Sequence, residues 1–318
     1  MLMTKSRSAV QGALATAKRW AGAQYCTAAG RARRNKEELY RGAGGLRVLT
    51  FHETAPAHMR ELARIVDWCR RNLALATPAD ADALFQGEWP YGAEERVLLT
   101  FDDGFESNFQ AAEWLAREGI RATFFIVPSL VDRTLEEFLE FHDRRGVRAF
   151  PMLSRHWLRG LSSTQVREMM SMGHRIGAHN YSHRDLGSMV EGEDFGYEIL
   201  NSLDAVSELT GEPCLDFATS FGQPENVSDE AIDFLQAHCP RVYSCHRGLN
   251  VPGVTPRFLL RHAWESHHPF SFTKACLDGS VDHVLMDRAR EMVRRTGLLG
   301  EPSTIMVPSI PELVAEAG

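Results

Sequence analysis

Two adjacent carboxylates follow an apolar run in the first third of the chain. Residues 97–101 are β-prone, and Asp102-Asp103-Gly104 comes directly after them. Buried carboxylates are costly unless a metal ion, a proton or a cation compensates them, and strand ends are where α/β proteins usually build active sites. The sequence Asp-Asp-Gly is also typical of a solvent-exposed turn. This segment alone therefore leaves two interpretations open, a reactive carboxylate pair or a solvated turn.

Two histidines spaced four residues apart follow a second apolar run, at 176–178. His179 and His183 would project from one face if the segment turned helical there, and this spacing is a familiar way to hold a divalent metal. One such pair among 13 histidines is weak support by itself. Together the two segments offer an oxygen ligand, two nitrogen ligands and a spare carboxylate, which favours an open catalytic metal site over a closed structural one.

Strands and helices alternate along the part of the chain that must position these groups. Apolar runs predict strands at 46–51, 97–101, 122–127, 175–178, 215–221, 242–244 and 258–261. Amphipathic spacing and capping residues predict helices at 56–75, 109–118, 162–172, 191–211, 228–239 and 281–296. Residues 130–160 are charged and aromatic, which predicts an insertion or a long loop over the site. This alternation predicts an α/β fold, a parallel sheet with helices outside it.

These motifs resemble those of the polysaccharide deacetylases with a NodB homology domain, the family-four carbohydrate esterases. TFDDG at 100–104, RATFF at 121–125 and the later His-x-x-x-His carry the resemblance, which covers roughly residues 46–290. It implies the distorted (β/α)7 barrel of that family. It also implies that Asp103, His179 and His183 bind a metal and that Asp102 is the catalytic base.

The resemblance implies a reaction as well. The expected activity is metal-dependent removal of acetyl groups from N-acetylated sugars of a polysaccharide or of its lipid-linked precursor. Two imidazoles and one carboxylate suit Zn²⁺, and also Co²⁺, Ni²⁺ or Mn²⁺. Such a metal would polarise the amide carbonyl and lower the pKa of a bound water, and Asp102 would take the proton of that water.

A general acid must then protonate the leaving amine, and three histidines are candidates. Relatives carry a late Leu-x-x-His motif, which residues 259–262 match, so His262 is the first choice. His52 is the second, because some relatives have Tyr-His or Phe-His at the end of the first strand. His283 is a third option.

The third sequence motif of this family is only partly kept in this chain. Phe221-Gly222 keeps its general shape and is expected to contact substrate, but the segment around it offers no arginine to orient Asp102. Trp264 has two interpretations, a stacking platform for a sugar ring or a core tryptophan.

Basic residues are concentrated at the N-terminal end of the chain. The formal net charge is −7, yet residues 1–36 contain eight Lys or Arg and no acidic residue. We therefore expect three parts: a basic arm and linker at 1–44, a catalytic domain at 45–299 and a tail at 300–318. The arm is predicted to be either a short interfacial helix on an anionic membrane or a disordered leader. Nucleic acid is not an expected partner, because the body is acidic and lacks a basic stripe.

The expected location is the cytoplasm, with peripheral contact at the inner membrane. No secretory apolar region is visible near the N-terminus, and the six cysteines are scattered without a C-x-x-C pair, as in a reducing compartment. Two alternatives to the polysaccharide deacetylase remain. One is an amidohydrolase of a small-molecule amide, and the other is a non-catalytic carbohydrate-binding domain of the same fold.

Overall fold

The computed structural model describes residues 2–143, 159–189, 195–221 and 223–301. The strands form one eight-stranded sheet in these residues, and all of its strand pairings are parallel. The strands are β1 (Gly45–Phe51), β2 (Ala74–Leu75), β3 (Glu95–Phe101), β4 (Thr123–Ile126), β5 (Arg175–Ala178), β6 (Asp216–Ala218), β7 (Arg241–Tyr243) and β8 (His262–Ala263).

The sheet curls until its two ends approach each other. Its order is β7-β6-β5-β4-β3-β1-β8, with β2 paired to β3 at the side. Leu259, just before β8, forms a parallel bridge to Tyr243 at the other end of the sheet. The chain therefore links both edges, and the predicted fold class, a distorted (β/α)7 barrel, is confirmed.

Helices cover the outside of this sheet, as a parallel sheet requires. The α-helices in the described residues are α1 (Leu2–Ala28), α2 (Arg31–Tyr40), α3 (Pro56–Asn72), α4 (Pro78–Phe85), α5 (Ser107–Arg117), α6 (Leu135–Asp143), α7 (Ser163–Ser171), α8 (Phe195–Glu198), α9 (Leu200–Thr210), α10 (Asp229–His238), α11 (Phe270–Leu277) and α12 (Met286–Thr296). Three short 3-10 helices lie at Pro128–Leu130, Pro224–Asn226 and Asp282–Val284.

Two apolar cores follow from the alternation of side chains along each strand. Leu98 and Phe125 point into the barrel and pack in an inner cluster. Their strand neighbours Leu99 and Phe124 belong to a larger cluster between the sheet and the helices. Strands β3 and β4 are thus buried on both faces, which fixes their register, since a slip of one residue would exchange the two sets of side chains.

The predicted strands agree with the observed ones to within a few residues at their ends, with two exceptions. The strand predicted at 258–261 is displaced to His262–Ala263, and the short β2 was not predicted. Helices α2, α4, α6 and α11 were also missed, and α6 lies within the predicted 130–160 insertion, of which 144–158 fall outside the described residues. The tail from 302 onward falls outside them too.

The N-terminal arm packs on the domain instead of standing apart from it. Ala23 and Cys26 of α1 are buried against Cys276 of α11. Tyr40, at the end of α2, is fully buried, and its hydroxyl donates to Asp282 Oδ2 at 3.1 Å. Within the described part of the chain, no helix is both long enough and apolar enough to cross a membrane.

Candidate metal and catalytic site

Strand register brings the predicted site residues to one edge of the sheet. Phe51 of β1 is level with Phe101 of β3, and the backbone N–H of Asp102 donates to Phe51 O at 2.8 Å. His52 and Asp102 therefore leave neighbouring strands side by side. His179 follows β5, and its backbone N–H donates to Ile126 O at the end of β4. The carboxyl ends of these strands thus converge as the α/β topology predicts.

Asp103, His179 and His183 form the candidate metal centre. All three side chains are buried, and their ligand atoms lie within 4.8 Å of one another. Asp103 Oδ1 is 3.5 Å from His179 Nε2 and 3.3 Å from His183 Nε2. A tetrahedral ion with bonds of about 2.0–2.2 Å separates its ligand atoms by about 3.3–3.6 Å. The spacing therefore suits a shared ion.

The hydrogen bonds of the cluster also fit a metal. His179 Nδ1 donates to the backbone oxygen of Ala218 at 2.9 Å, which leaves the lone pair of Nε2 facing Asp103. Asp103 Oδ1 has no hydrogen-bond partner among the described residues although it is buried. A buried carboxylate oxygen normally finds a partner, and a cation held by these three residues would provide it.

The histidine pair is not arranged as the spacing suggested. Residues 179–183 form a loop, not a helical turn, and both Asn180 and His183 have positive φ (56° and 55°). Asn180 Nδ2 donates to Arg184 O at 2.6 Å and so closes the loop on itself. Asp103 also has positive φ, 76°. Such backbone strain in non-glycine residues concentrates at functional sites.

Asp102 is held by an arginine from the segment just before β8, far away in sequence. Arg261 Nη1 donates to Asp102 Oδ1 at 2.7 Å, and both side chains are almost completely buried. Asp102 Oδ2 is buried and has no hydrogen-bond partner among the described residues. One carboxylate oxygen is therefore fixed by a cation, and the other is available to accept a proton.

The charges around Asp102 keep it ionised. Burial alone would raise its pKa, but the guanidinium of Arg261 and the imidazoles of His179 and His52 lower it below the ordinary value. The pKa of Asp103 is also lowered, because its neighbours His179 and His183 outweigh the effect of burial. Both carboxylates are therefore ionised at neutral pH, as a base and a metal ligand must be.

Arg261 corrects the expectation that this chain lacks an orienting arginine. That arginine was expected near Phe221, whereas it comes from the segment before β8. Strand side chains alternate between faces, so Arg261 and Ala263 face the site while His262 and Trp264 face away.

The structure does not bring His262 to the site. Its side chain is buried, and its Nε2 lies 3.2 Å from the backbone oxygen of Gly248. His283 is elsewhere as well, with Nδ1 3.2 Å from Asn35 Nδ2. Trp264 packs in the outer core with its ring 5.4 Å from that of Phe51, so the sugar-stacking interpretation is replaced by the core one.

A cavity of about 490 Å³ opens at the candidate metal centre. His52 and Phe221 line it together with the metal cluster, and the Phe221 ring meets that of His183 edge-on at 4.9 Å. Gly222 lies outside the described residues. Sequence reasoning missed several other lining residues, because they come from α1, the loop after β7 and α12: Arg19, His246, Arg247 and Arg288.

Replacement of Arg261 by glutamine should destabilise the protein by about 3–5 kcal/mol at neutral pH, because it leaves the buried Asp102 carboxylate without its cation. The loss should shrink as the pH falls, since the pKa of Asp102 rises without Arg261 and protonation relieves the uncompensated charge. Urea unfolding at several pH values measures both the loss of stability and its dependence on pH. The values are chosen between about pH 5 and 8, where most proteins are most stable.

Arg70→Gln is the matched control. Arg70 pairs with Glu118 at 2.7 Å, but both side chains are more than a third exposed, so its loss should cost about 0–1 kcal/mol. Equal losses for the two variants would contradict a buried, charge-compensating role for Arg261.

Comparison with known proteins supports the same family. Residues 91–238 match the family model of polysaccharide deacetylases, and this confirms the resemblance carried by the motifs. The matched range contains Asp102, Asp103, His179 and His183. Among curated proteins, none matches the chain.

Several solved structures share the fold. IcaB from Ammonifex degensii is 23% identical, with a TM-score of 0.56 over 74% of this chain and 97% of its own. A de-N-acetylase from Aggregatibacter actinomycetemcomitans is 18% identical, with a TM-score of 0.55 over 73% and 99%. The deacetylase PplD of Streptococcus pyogenes, solved with acetate, is 17% identical, with a TM-score of 0.51 over 73% and 98%. At these identities the likeness establishes the fold.

Proposed function

We propose that this protein is a metal-dependent N-deacetylase that removes acetyl groups from N-acetylated sugars of a polysaccharide or of its lipid-linked precursor. One observation carries the proposal: a buried Asp103–His179–His183 cluster with ligand atoms within 4.8 Å lies beside a second carboxylate that Arg261 fixes. A binding domain has no need for that second, oriented carboxylate. The family match over 91–238 supports the same reaction class.

Asp103, His179 and His183 would hold the metal. When bound there, a divalent ion supplies Lewis acidity toward the amide carbonyl and lowers the pKa of a water. Two nitrogen ligands and one oxygen ligand favour Zn²⁺, with Co²⁺, Ni²⁺ and Mn²⁺ as alternatives. Three protein ligands leave positions for water and substrate, as catalytic sites require.

Asp102 would act as the general base. Its Oδ1 is occupied by Arg261, so the proton of the attacking water passes to Oδ2, which has no partner among the described residues. The lowered pKa ensures that the carboxylate is ionised when the substrate arrives. Attack forms a new C–O bond on the acetyl carbon, and cleavage of the C–N bond then yields acetate and a free amine on the sugar.

His52 is our choice for the general acid that protonates the leaving nitrogen. It lines the cavity together with Asp102 and Asp103, and it follows β1 at the same edge of the sheet as both carboxylates. His52→Gln should lower kcat by about 10²–10⁴-fold, the usual share of general acid catalysis, while bound metal stays unchanged. His283→Gln, at a histidine away from the cavity, is the control. A normal kcat for His52→Gln would remove His52 from the mechanism.

Two features of the sequence favoured a non-catalytic binding domain, the absence of an arginine near Phe221 to orient Asp102 and the lack of a clear general acid. Arg261 supplies the arginine from the segment just before β8, so the catalytic proposal is favoured. A cytoplasmic location, inferred from the scattered cysteines, stays a prediction, and so does contact of the basic arm with an anionic membrane.

Acetate release from oligomers of N-acetylglucosamine tests the proposed function. Purified protein should release acetate, lose this activity when a chelator strips its metal, and regain it when a divalent metal is restored. Acetate release that survives complete removal of metal would contradict the proposed use of the Asp103 cluster. Metal binding without hydrolysis of any acetamido sugar would instead favour the small-amide alternative.

A further inference from the structure

One wall of the cavity carries positive charge that the deacetylation chemistry does not use. Arg19 of α1, Arg247 of the loop after β7 and Arg288 of α12 line the same space as the metal cluster. Three separate segments of the chain thus bring guanidinium groups to one cavity, although the protein as a whole has a formal charge of −7. Glu265 is the acidic residue on this side, so the wall remains net positive.

These arginines lack carboxylate partners within the described part of the chain. Arg19 Nη1 instead lies 2.9 Å from His267 Nε2. Arg247 Nη2 donates to Ala263 O at 3.4 Å. Both guanidinium groups also lie near the ring of Phe272, at 5.9 and 5.4 Å from its centre. Both guanidinium groups therefore lie at the cavity without a carboxylate partner among the described residues, and an anionic ligand would supply the missing counter-charge.

His246 gives an independent indication of a ligand at this wall. It lines the cavity and is only 4% exposed, yet neither ring nitrogen has a hydrogen-bond partner among the described residues. Burial, followed by the charges of Arg288 and Arg295, lowers its pKa to about 4, so it is a neutral imidazole with one N–H to donate. Leaving such a buried donor unsatisfied costs about 1–3 kcal/mol, which a ligand oxygen would recover.

We propose that Arg19, His246, Arg247 and Arg288 form an oxyanion subsite, which binds a phosphate or carboxylate group carried by the substrate beside its N-acetylated sugar. This inference rests on the proposed function and narrows the substrate to an anionic sugar derivative. Guanidinium groups bind phosphate and carboxylate alike through paired N–H donors. The source of the oxyanion is either a sugar phosphate, as in a carrier-linked precursor, or a uronic acid within a polymer.

Calorimetry on the wild-type protein tests the subsite without depending on turnover. The probes are N-acetylglucosamine, N-acetylglucosamine 1-phosphate and a disaccharide of N-acetylglucosamine with glucuronic acid. At least one anionic probe should bind about tenfold more tightly than the neutral sugar, equivalent to about 1.4 kcal/mol. The anionic probe that binds more tightly identifies the source. Equal affinity for all three probes would overturn the inference.

Arg288→Gln and Arg290→Gln form a matched pair for the same measurement. Both arginines lie on α12 and are exposed, but Arg290 pairs with Asp287 and does not line the cavity. Arg288→Gln should lower the ratio of anionic to neutral affinity by about three- to tenfold, since one charge-assisted contact is lost. Arg290→Gln should keep the wild-type ratio. Indistinguishable ratios in the two variants would also overturn the subsite.

Acetate release from a neutral N-acetylglucosamine oligomer is recorded on the same preparations. Acetate release without a preference for anionic probes overturns the subsite and leaves the proposed function intact. A preference for anionic probes without release of acetate from any probe supports the subsite and overturns the deacetylase.

Discussion

Replacement of Asp102 by asparagine should abolish most of the activity while the metal stays bound. An amide cannot take the proton of the attacking water, and loss of a general base costs about 10²–10⁴-fold in kcat. The ligands Asp103, His179 and His183 are untouched by this change. Metal content by elemental analysis and kcat for acetate release, measured on one preparation, check both halves of the prediction.

Asp82→Asn is the control for Asp102→Asn. Asp82 also pairs with arginine, at 2.6 Å from Arg175, but it lies away from the cavity. Its variant should keep a normal kcat. A near-normal rate for Asp102→Asn would show that another group is the base.

Replacement of His179 by alanine should remove metal and turnover together. Loss of even an outer-shell partner typically lowers metal affinity about 10–100-fold, and loss of one of three direct ligands should exceed that. Metal content after dialysis should fall well below stoichiometric, and acetate release should fall with it. Excess metal in the assay should restore only a small part of the rate, because the two remaining ligands bind weakly.

His174→Ala distinguishes a lost ligand from a merely destabilised protein. His174 is also buried and precedes the same strand, but its two ring nitrogens bond to backbone atoms, with Nδ1 accepting from Ala122 N–H at 3.2 Å and Nε2 2.9 Å from Ala112 O. This variant should lower the melting temperature and still retain metal. Retention of stoichiometric metal by His179→Ala would contradict the proposed ligand set.

Much of the site could be predicted because it depends on topology. The apolar runs before Asp102 and before His179 indicate two strands, and parallel strands present their carboxyl ends at one edge. The structure places the Asp103 cluster there. The local shape of the His179–His183 loop could not be predicted, because its positive φ angles depend on surrounding contacts, such as the hydrogen bond from Ser182 N–H to Glu198 Oε2 at 3.0 Å.

Side-chain direction on the last strand was the main error. We expected His262 at the site, with Trp264 either beside it or in the core, whereas Arg261 and Ala263 occupy the site. A shift of one residue exchanges the faces of a strand, and this strand is only two residues long, too short for a visible alternation. The Arg261–Asp102 pair spans 159 residues in sequence, so local pattern gave no indication of it.

The residues that line the arginine-bearing wall of the cavity also could not be predicted from local sequence patterns. Arg19, His246 and Arg288 come from three segments that approach one another only in the folded chain. The basic residues near the N-terminus were visible in the sequence, but their charge pattern indicated a membrane surface and not an active-site cavity. Packing of α1 on α11 decides where Arg19 lies, and that contact involves small residues with no distinctive spacing.

Titration of metal-free protein with Zn²⁺ tests the central claim most directly, with bound metal and acetate release followed in the same samples. We predict that the initial rate on an N-acetylglucosamine oligomer rises in proportion to bound metal and reaches its plateau at one ion per chain, as a single Asp103–His179–His183 centre requires. A rate independent of bound metal, or protein that binds no ion at this centre, would contradict the account.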